Sequence, residues 1–260
     1  MTEADRDRKA LEAKFHDHIR GDLRDDRNAT SNYKFYSVAK RNWDCLEDFV
    51  RPYCARGARV LDYCCGDGNF TRRLSSLGAD AVGIDISPVS IERARSVAKA
   101  EGSPAQFEVM DAEATTFRSA SFDLVTINGV LHHLDLDRAY REIARLLGPD
   151  GKAVATEALR HNPVFHLYRR LTPKLRTAWE AEHILGRREI FKARDYFETV
   201  RVLGFFHLAV LLAVPLRNTR VFEPVRRSLE LVDRALLRVP GLRWYAWMAV
   251  FALERPKGVI

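Results

Sequence analysis

Val60–Phe70 reads VLDYCCGDGNF, and the fold turns on this stretch. An apolar run meets Asp62 and Tyr63, two cysteines and a Gly-x-Gly turn follow, and Asn69-Phe70 opens an amphipathic segment. That order is a buried strand turning into a helix, the first unit of a parallel sheet with crossover helices. The turn offers backbone N–H groups and the positive end of a helix to a ligand. A glycine turn is common, so its meaning depends on what the rest of the chain puts beside it.

Downstream the alternation continues. AVGIDI at 81–86 reads as the second strand, and Ser87-Pro88 starts a helix with Ile91, Ala94, Val97 and Ala98 at helical spacing and Gly102 as its stop. QFEVM at 106–110 and SFDLVTIN at 121–128 are a third and a fourth strand, and DRAYREIARLL at 137–147 is a helix. The turn GPDG at 148–151 ends that helix, and KAVATEA at 152–158 is a fifth strand. From residue 160 to 192 the chain is aromatic and basic, with Pro163 and Pro173, and reads as a helical insertion. A sixth strand is expected at 199–208, a helix at 221–238 and a seventh strand at 244–254, with the last pair antiparallel at the sheet edge. The expected organisation is α/β: an N-terminal helical arm and lid (1–57), a ligand-binding core (58–159), and helical insertions with the last two strands of the same domain (160–260).

The chain has 260 residues, enough for one α/β domain with insertions, and 47% hydrophobic residues, far from a disordered composition. The first thirty residues are highly charged and read as a frayed helix or arm. The net charge of +7 is unevenly placed: residues 160–260 carry 19 Lys and Arg against 9 Asp and Glu, a surplus of ten. A basic face suits an anionic small molecule, a membrane surface or nucleic acid, or is simply a solvated arginine-rich face. LGFFHLAVLLAVPL at 203–216 is too short to span a bilayer and reads as a buried strand and turn, with peripheral membrane contact as the sharper alternative. No signal-like segment opens the chain, so a cytoplasmic protein with reduced cysteines is expected. Cys64 and Cys65 have only Cys45 and Cys54 for company, without a C-x-x-C spacing or flanking histidine, so no metal site is expected.

Asp85 ends the second strand and Asp111 the third, so three carboxylates, with Asp62, stand at three consecutive strand ends on one edge of a sheet. Asp85 suits the two hydroxyls of a ribose, and Asp111 an exocyclic amine of adenine. A nicotinamide enzyme would share the first two features, but position 71 is Thr, where G-x-G-x-x-G needs its third glycine.

VLDYCCGDG, VGIDIS, VMDAEA, FDLVTINGVLHHL and REIARLLGPDGKAVATEAL resemble, in order and spacing, the motifs of class I S-adenosylmethionine-dependent methyltransferases. The resemblance implies a seven-stranded, mostly parallel Rossmann-like sheet with its last strand antiparallel and helices on both faces. The implied cofactor is S-adenosyl-L-methionine, leaving as S-adenosyl-L-homocysteine. Gly66 and Gly68 would let its methionyl part approach the backbone, with Asp62 and Asn128 beside that end and Cys64 in the wall. Asp85 would hold the ribose, Ile86 would pack on adenine, and Asp111 with the Ala112 N–H would read the adenine edge. The family often has Gly where Cys64 and Asn69 stand here; Cys is small, and Asn tolerates a positive φ.

Methyl transfer needs alignment first and a base only where the acceptor must lose a proton. His132, His133 and Glu157 are the candidate acid–base residues, with His133 packing structurally in most relatives. Tyr33 and Tyr36, in an expected lid, and His161, Arg169 and Arg170, in a basic cluster with His166, Lys174 and Arg176, are the candidate substrate residues. Paired arginines bind phosphate or carboxylate. The acceptor is therefore expected to be a small molecule, anionic or amphipathic, such as an isoprenoid diphosphate, a lipid-linked sugar or a natural-product intermediate. A nucleic-acid methyltransferase would use the same charge, but TINGVLHH stands where an Asn/Asp-Pro-Pro-aromatic motif would follow the fourth strand. A non-catalytic nucleotide-binding module remains the other alternative, and the oligomeric state is not legible.

Overall fold

The computed structural model describes residues 3–14, 32–175 and 177–258; the expected arm between 15 and 31, and Arg176, lie outside the described residues. Seven strands form one sheet in the order β3-β2-β1-β4-β5-β7-β6. They are β1 (Arg59–Tyr63), β2 (Asp80–Asp85), β3 (Gln106–Val109), β4 (Phe122–Asn128), β5 (Leu147–Ala158), β6 (Phe197–Phe206) and β7 (Met248–Pro256). β1 to β5 pair in parallel, and β7 runs antiparallel between β5 and β6, so the edges are β3 and β6.

The helices are α1 (Glu3–Lys14), α2 (Lys40–Cys54), α3 (Asn69–Ser76), α4 (Pro88–Glu101), α5 (Leu136–Leu146), α6 (Pro163–Leu171), α7 (Ala178–His183), α8 (Arg187–Lys192) and α9 (Phe222–Leu236). Their starts follow local chemistry. The side chains of Ser87, Asp135 and Asn162 each accept an N–H of the first turn of α4, α5 and α6, and Pro88 and Pro163 supply a preset φ. Gly102 ends α4 in the left-handed conformation at φ 65°.

Strand alternation divides the apolar residues between two cores. Leu61, Tyr63, Ile84, Ile127 and Phe251 face α5 with its Tyr140 and Ile143. Val60, Leu124, Val154 and Val250 face Leu46 and Val50 of α2 and Leu74 of α3. Each fully buried large side chain contributes about 1.5–3 kcal/mol, so this two-sided burial fixes the register of the central strands.

Three boundaries differ from the sequence reading. The expected turn 148–151 is taken into β5, whose pairing with β4 shifts register between Phe122 and Leu124, so the extra residues are absorbed as an irregularity. The apolar run 203–216 is only partly strand: β6 ends at Phe206, and Ala209–Leu216 coils into a 3-10 helix with Val210, Leu211, Ala213 and Val214 buried. Trp244 and Tyr245 belong to a 3-10 turn (Leu242–Tyr245), and β7 starts four residues later than expected. Among the described residues no helix is long and apolar enough to cross a membrane.

Candidate active site

The strand order reverses between β1 and β4, and a cavity of about 400 Å3 opens there at the carboxyl ends of the strands. Asp62, Cys64, Gly66, Asp85, Ile86, Asp111, Ala112 and Asn128 all line it, so eight of the nine cofactor candidates meet in one place. Tyr33, Tyr36 and His133 line it as well.

Gly68 is the exception. Its φ is 72°, and a Cβ there would stand 2.3 Å from the Phe107 ring and 2.9 Å from Ala94, so this glycine serves the packing of α3 on β3 and α4 and does not line the cavity. Gly66, at φ 56°, has nothing within 4 Å of where a Cβ would stand, and it is the residue that opens the turn to the cavity. The other positive φ in the turn falls on Cys64, at 59°; Asn69 is not in that region and simply begins α3. A branched or bulky side chain at 64 would be strained, which explains a small residue there.

Each acidic residue is held by short bonds. Asp85 Oδ2 accepts the Gly66 N–H at 2.9 Å and Oδ1 the Ser87 N–H at 2.9 Å. Asp62 accepts from Thr71 Oγ1 at 2.7 Å, Thr126 Oγ1 at 3.2 Å and Asn128 Nδ2 at 3.4 Å. Full burial outweighs these donors and pushes the Asp62 carboxyl up to about 6. The Tyr63 hydroxyl donates to the Ala112 carbonyl and sets the peptide at the end of β3. Asn128 Oδ1 is buried and has no partner among the described residues, an acceptor suited to a ligand ammonium. That orphaned acceptor, beside Asp62 and the open backbone at Gly66, fits the cationic methionyl end of the cofactor that the motifs imply.

Cys64 and Cys65 are wall residues. Burial first, and then the nearby carboxylates of Asp62 and Asp85, push both thiols up and keep them protonated. Cys65 packs on β2, where Gly83 makes room: a Cβ there would stand 2.8 Å from its Sγ. Among the described residues no cluster of His, Cys, Asp or Glu could hold a metal ion.

The acid–base candidates divide. Glu157 is fully buried at the end of β5, and its Oε1 accepts the N–H groups of Val130 and Leu131 at 2.7 and 2.8 Å. Its Oε2 lies 2.9 Å from His132 Nδ1. Neither Glu157 nor His132, both expected as acid–base candidates, lines the cavity; Glu157 is instead bonded to the 130–133 turn. Burial opposes the charge of the His132 ring, but the bonded Glu157 carboxylate more than offsets it and raises the His132 pKa. His133 does reach the cavity, with Nδ1 3.0 Å from Glu12 Oε2.

The N-terminal arm is a helix as expected over Glu3–Lys14, but none of its residues was among the site candidates. This helix lies over the cavity and contributes Arg8, Lys9 and Glu12 to its lining. Lys9 Nζ lies 2.6 Å from Asp111 Oδ2 and 2.8 Å from Glu113 Oε2, and Arg8 Nη2 donates to Glu113 Oε1 at 2.6 Å. Arg8 also stacks 4.6 Å over the Trp179 ring. Thr177 Oγ1 donates to Glu12 Oε1 at 2.5 Å. The only local signal was Arg8 and Glu12 one turn apart; their partners lie more than a hundred residues away in sequence.

His161, Arg169 and Arg170 do not join Tyr33 and Tyr36. They line a second cavity of about 670 Å3, with Arg160, His166, Thr177 and Glu182, and the two cavities share no lining residue.

The family model of a methyltransferase domain matches residues 60–151. A demethylmenaquinone methyltransferase of Thermus thermophilus is 36% identical over 102 residues, 38% of this chain and 46% of that protein. The chain thus spans less than half the length of this curated relative. A ubiquinone biosynthesis O-methyltransferase of Cereibacter sphaeroides is 26% identical over 189 residues, 73% of this chain and 74% of that protein. A solved geranyl diphosphate C-methyltransferase from Streptomyces coelicolor, in complex with Mg2+, geranyl diphosphate and S-adenosyl-L-homocysteine, superposes with a TM-score of 0.60 at 14% identity, over 95% of this chain and 98% of that one. That likeness is one of fold.

Proposed function

Because the chain belongs to the class I S-adenosylmethionine-dependent methyltransferase superfamily, we propose that it transfers a methyl group in line to a small-molecule acceptor with an acidic group on an apolar body. An isoprenoid diphosphate, a lipid-linked sugar or a natural-product intermediate has this character. The carrying observation is that Asp62, Asp85 and Asp111, at three neighbouring strand ends, line one cavity together with the open turn at Gly66. S-adenosylmethionine, when bound, supplies an electrophilic methyl carbon on a sulfonium.

The chain's own residues then have distinct tasks. Asp85 takes the ribose hydroxyls, Ile86 packs on the adenine, and Asp111 with the Ala112 N–H reads its edge. Asp62 and Asn128 hold the amino-acid end. Tyr33 and Tyr36 shield the reacting centre from water, so a nucleophile meets the methyl carbon without competition. His133, which lines the cavity with its Nδ1 against Glu12, takes the acceptor's proton, while Glu157 and His132 hold the turn that carries it. The names of relatives that act in quinone biosynthesis and on geranyl diphosphate support an apolar acceptor, and the surplus of ten positive charges in residues 160–260 supports an acidic one.

Calorimetric titration with S-adenosylmethionine and S-adenosylhomocysteine, followed by a screen of acidic and lipid-like acceptors with labelled S-adenosylmethionine, tests this reading. Cofactor binding with methyl transfer to an acidic apolar acceptor is the expected result. Labelling of tRNA or DNA with a steep salt dependence would replace it with the nucleic-acid alternative. Cofactor binding without turnover on any acceptor would favour a non-catalytic module.

A further inference from the structure

We propose that the second cavity is a binding site for a phosphate-type oxyanion, and that it anchors the acidic end of the acceptor; its role as an anchor rests on the methyltransferase reading above. Five basic side chains surround this cavity: Arg160 and His161 at the end of β5, and His166, Arg169 and Arg170 on α6. Two of the guanidinium groups are already set in place. Arg160 Nε donates to the Ile184 carbonyl at 2.9 Å and its Nη2 lies 2.9 Å from Glu189, while Arg169 sits 5.7 Å over the Phe165 ring. His161, His166 and Arg170 are exposed, and their side chains have no hydrogen-bond partner among the described residues.

Among the described residues of the lining Glu182 is the only acidic one, and Glu189 is committed to Arg160. Three guanidinium groups against these two carboxylates leave a net positive chamber before either imidazole is counted. A carboxylate ligand presents two oxygens in one plane and would meet one guanidinium fork. A phosphate or diphosphate presents oxygens on several sides and can engage cations from both the strand end and α6 at once.

The position of the chamber gives the anion a purpose. Thr177 lines it, and the Thr177 hydroxyl donates to Glu12, which lines the first cavity. Across that single bond the two cavities stand back to back. An acceptor held by its acidic end in this chamber is methylated only if its other end passes the Glu12–Thr177 contact into the first cavity, so its apolar body has to bridge the two.

The test is titration of the full chain with inorganic pyrophosphate and with inorganic phosphate by calorimetry, in the presence and absence of S-adenosylhomocysteine. Saturable pyrophosphate binding is expected, weakened at least tenfold by Arg170→Ala and by His166→Ala. Arg227→Ala, a control with 77% side-chain exposure on α9, should change it less than twofold. S-adenosylhomocysteine should bind equally well to both chamber variants. The proposal is overturned if pyrophosphate does not saturate, if Arg227→Ala weakens binding as much as Arg170→Ala, or if Arg170 affects only sedimentation with phosphatidylglycerol vesicles. Failure of S-adenosylhomocysteine to bind the wild type would instead strike the reading of the first cavity and leave the pyrophosphate result standing on its own.

Discussion

The two halves of the sheet hold their functional side chains in different ways. On the β1–β4 side, the carboxylates of Asp62 and Asp85 are fixed mostly from nearby in sequence, Asp85 by Gly66 and Ser87 and Asp62 by Thr71, with Thr126 and Asn128 of the adjoining β4 added to Asp62. On the β5–β7 side, the bonds reach further along the chain, up to 165 residues between His207 and Asn42. Asn162 Nδ2 donates to the Tyr245 carbonyl, Asp233 accepts the N–H groups of Leu208, Ala209 and Val210, and buried His207 Nε2 donates to Asn42 Oδ1. Burial drives the His207 pKa down to about 3, so this ring stays neutral and structural. A site built from neighbours in sequence is written in motifs; one built from distant partners is written only in the fold.

The strongest way to break this contrast is at its seam. Glu157→Ala leaves the buried N–H groups of Val130 and Leu131 and the His132 ring without their shared acceptor, which should cost about 3–5 kcal/mol in urea denaturation. Glu157→Gln keeps an acceptor for the amides and should lose clearly less. Equal effects would show that charge, and not the hydrogen-bond geometry, holds the turn.

Next in size is Asp85→Ala, which should weaken S-adenosylhomocysteine binding by about 2–3 kcal/mol, roughly a hundredfold, in calorimetry. Arg169→Ala should leave that affinity unchanged, since it belongs to the other chamber. If both substitutions weaken the cofactor alike, the cavities are not independent.

A pH series sharpens the cofactor side alone. The folded Asp62 carboxyl lies at about 6 against an ordinary 3.8, so the folded state binds this proton more tightly and stability falls as pH rises through that window. A cationic ligand favours the ionised form. Cofactor affinity should therefore climb as pH rises from 5 to 7, by up to about tenfold per unit below 6, and Asp62→Asn should flatten the profile.

Much of the β1–β4 half was legible because its signals are short-range. Ser87-Pro88 and Gly102 bracket α4, and the alternation of Leu61 and Tyr63 against Val60 marks a strand buried on both faces. Eight of the nine cofactor candidates that the family resemblance implies line the cavity; Gly68 does not, and a packing glycine and a cavity glycine look alike in a sequence. On the other side, composition identified the basic insertion but not that its arginines would be walled off from Tyr33 and Tyr36. Glu12 and Thr177, which bond across that wall, are 165 residues apart. No local pattern carries that information. The share of α1 in the site escaped for the same reason, although a helical arm was expected there, since Lys9 has meaning only opposite Asp111 and Glu113.

Two smaller effects complete the set. Lys9→Ala removes the ammonium between Asp111 and Glu113, and amide exchange in Glu3–Lys14 should speed up by about tenfold or more, with global stability changed by less than about 1 kcal/mol. Unchanged exchange would mean that Arg8, Glu12 and Asp5 hold the helix without it. Smallest of all, Cys64→Gly relieves a left-handed φ of 59° and should shift stability by no more than about 1 kcal/mol while keeping cofactor affinity. Complete loss of affinity would show that the thiol does more than fill space.

The strand order also sets a timetable. β6 touches the sheet only through β7, and β7 is inserted between β5 and β6. During synthesis, β1 to β5 can pair as they emerge, but Phe197–Phe206 has no place to pair until Met248–Pro256 has left the ribosome. For that interval the growing chain carries a nearly complete cofactor edge beside an unsealed β5, a strand flank open to other chains. A substitution that slows the docking of β7 would thus show first as aggregation of newly made protein, before any change in the mature fold could be measured.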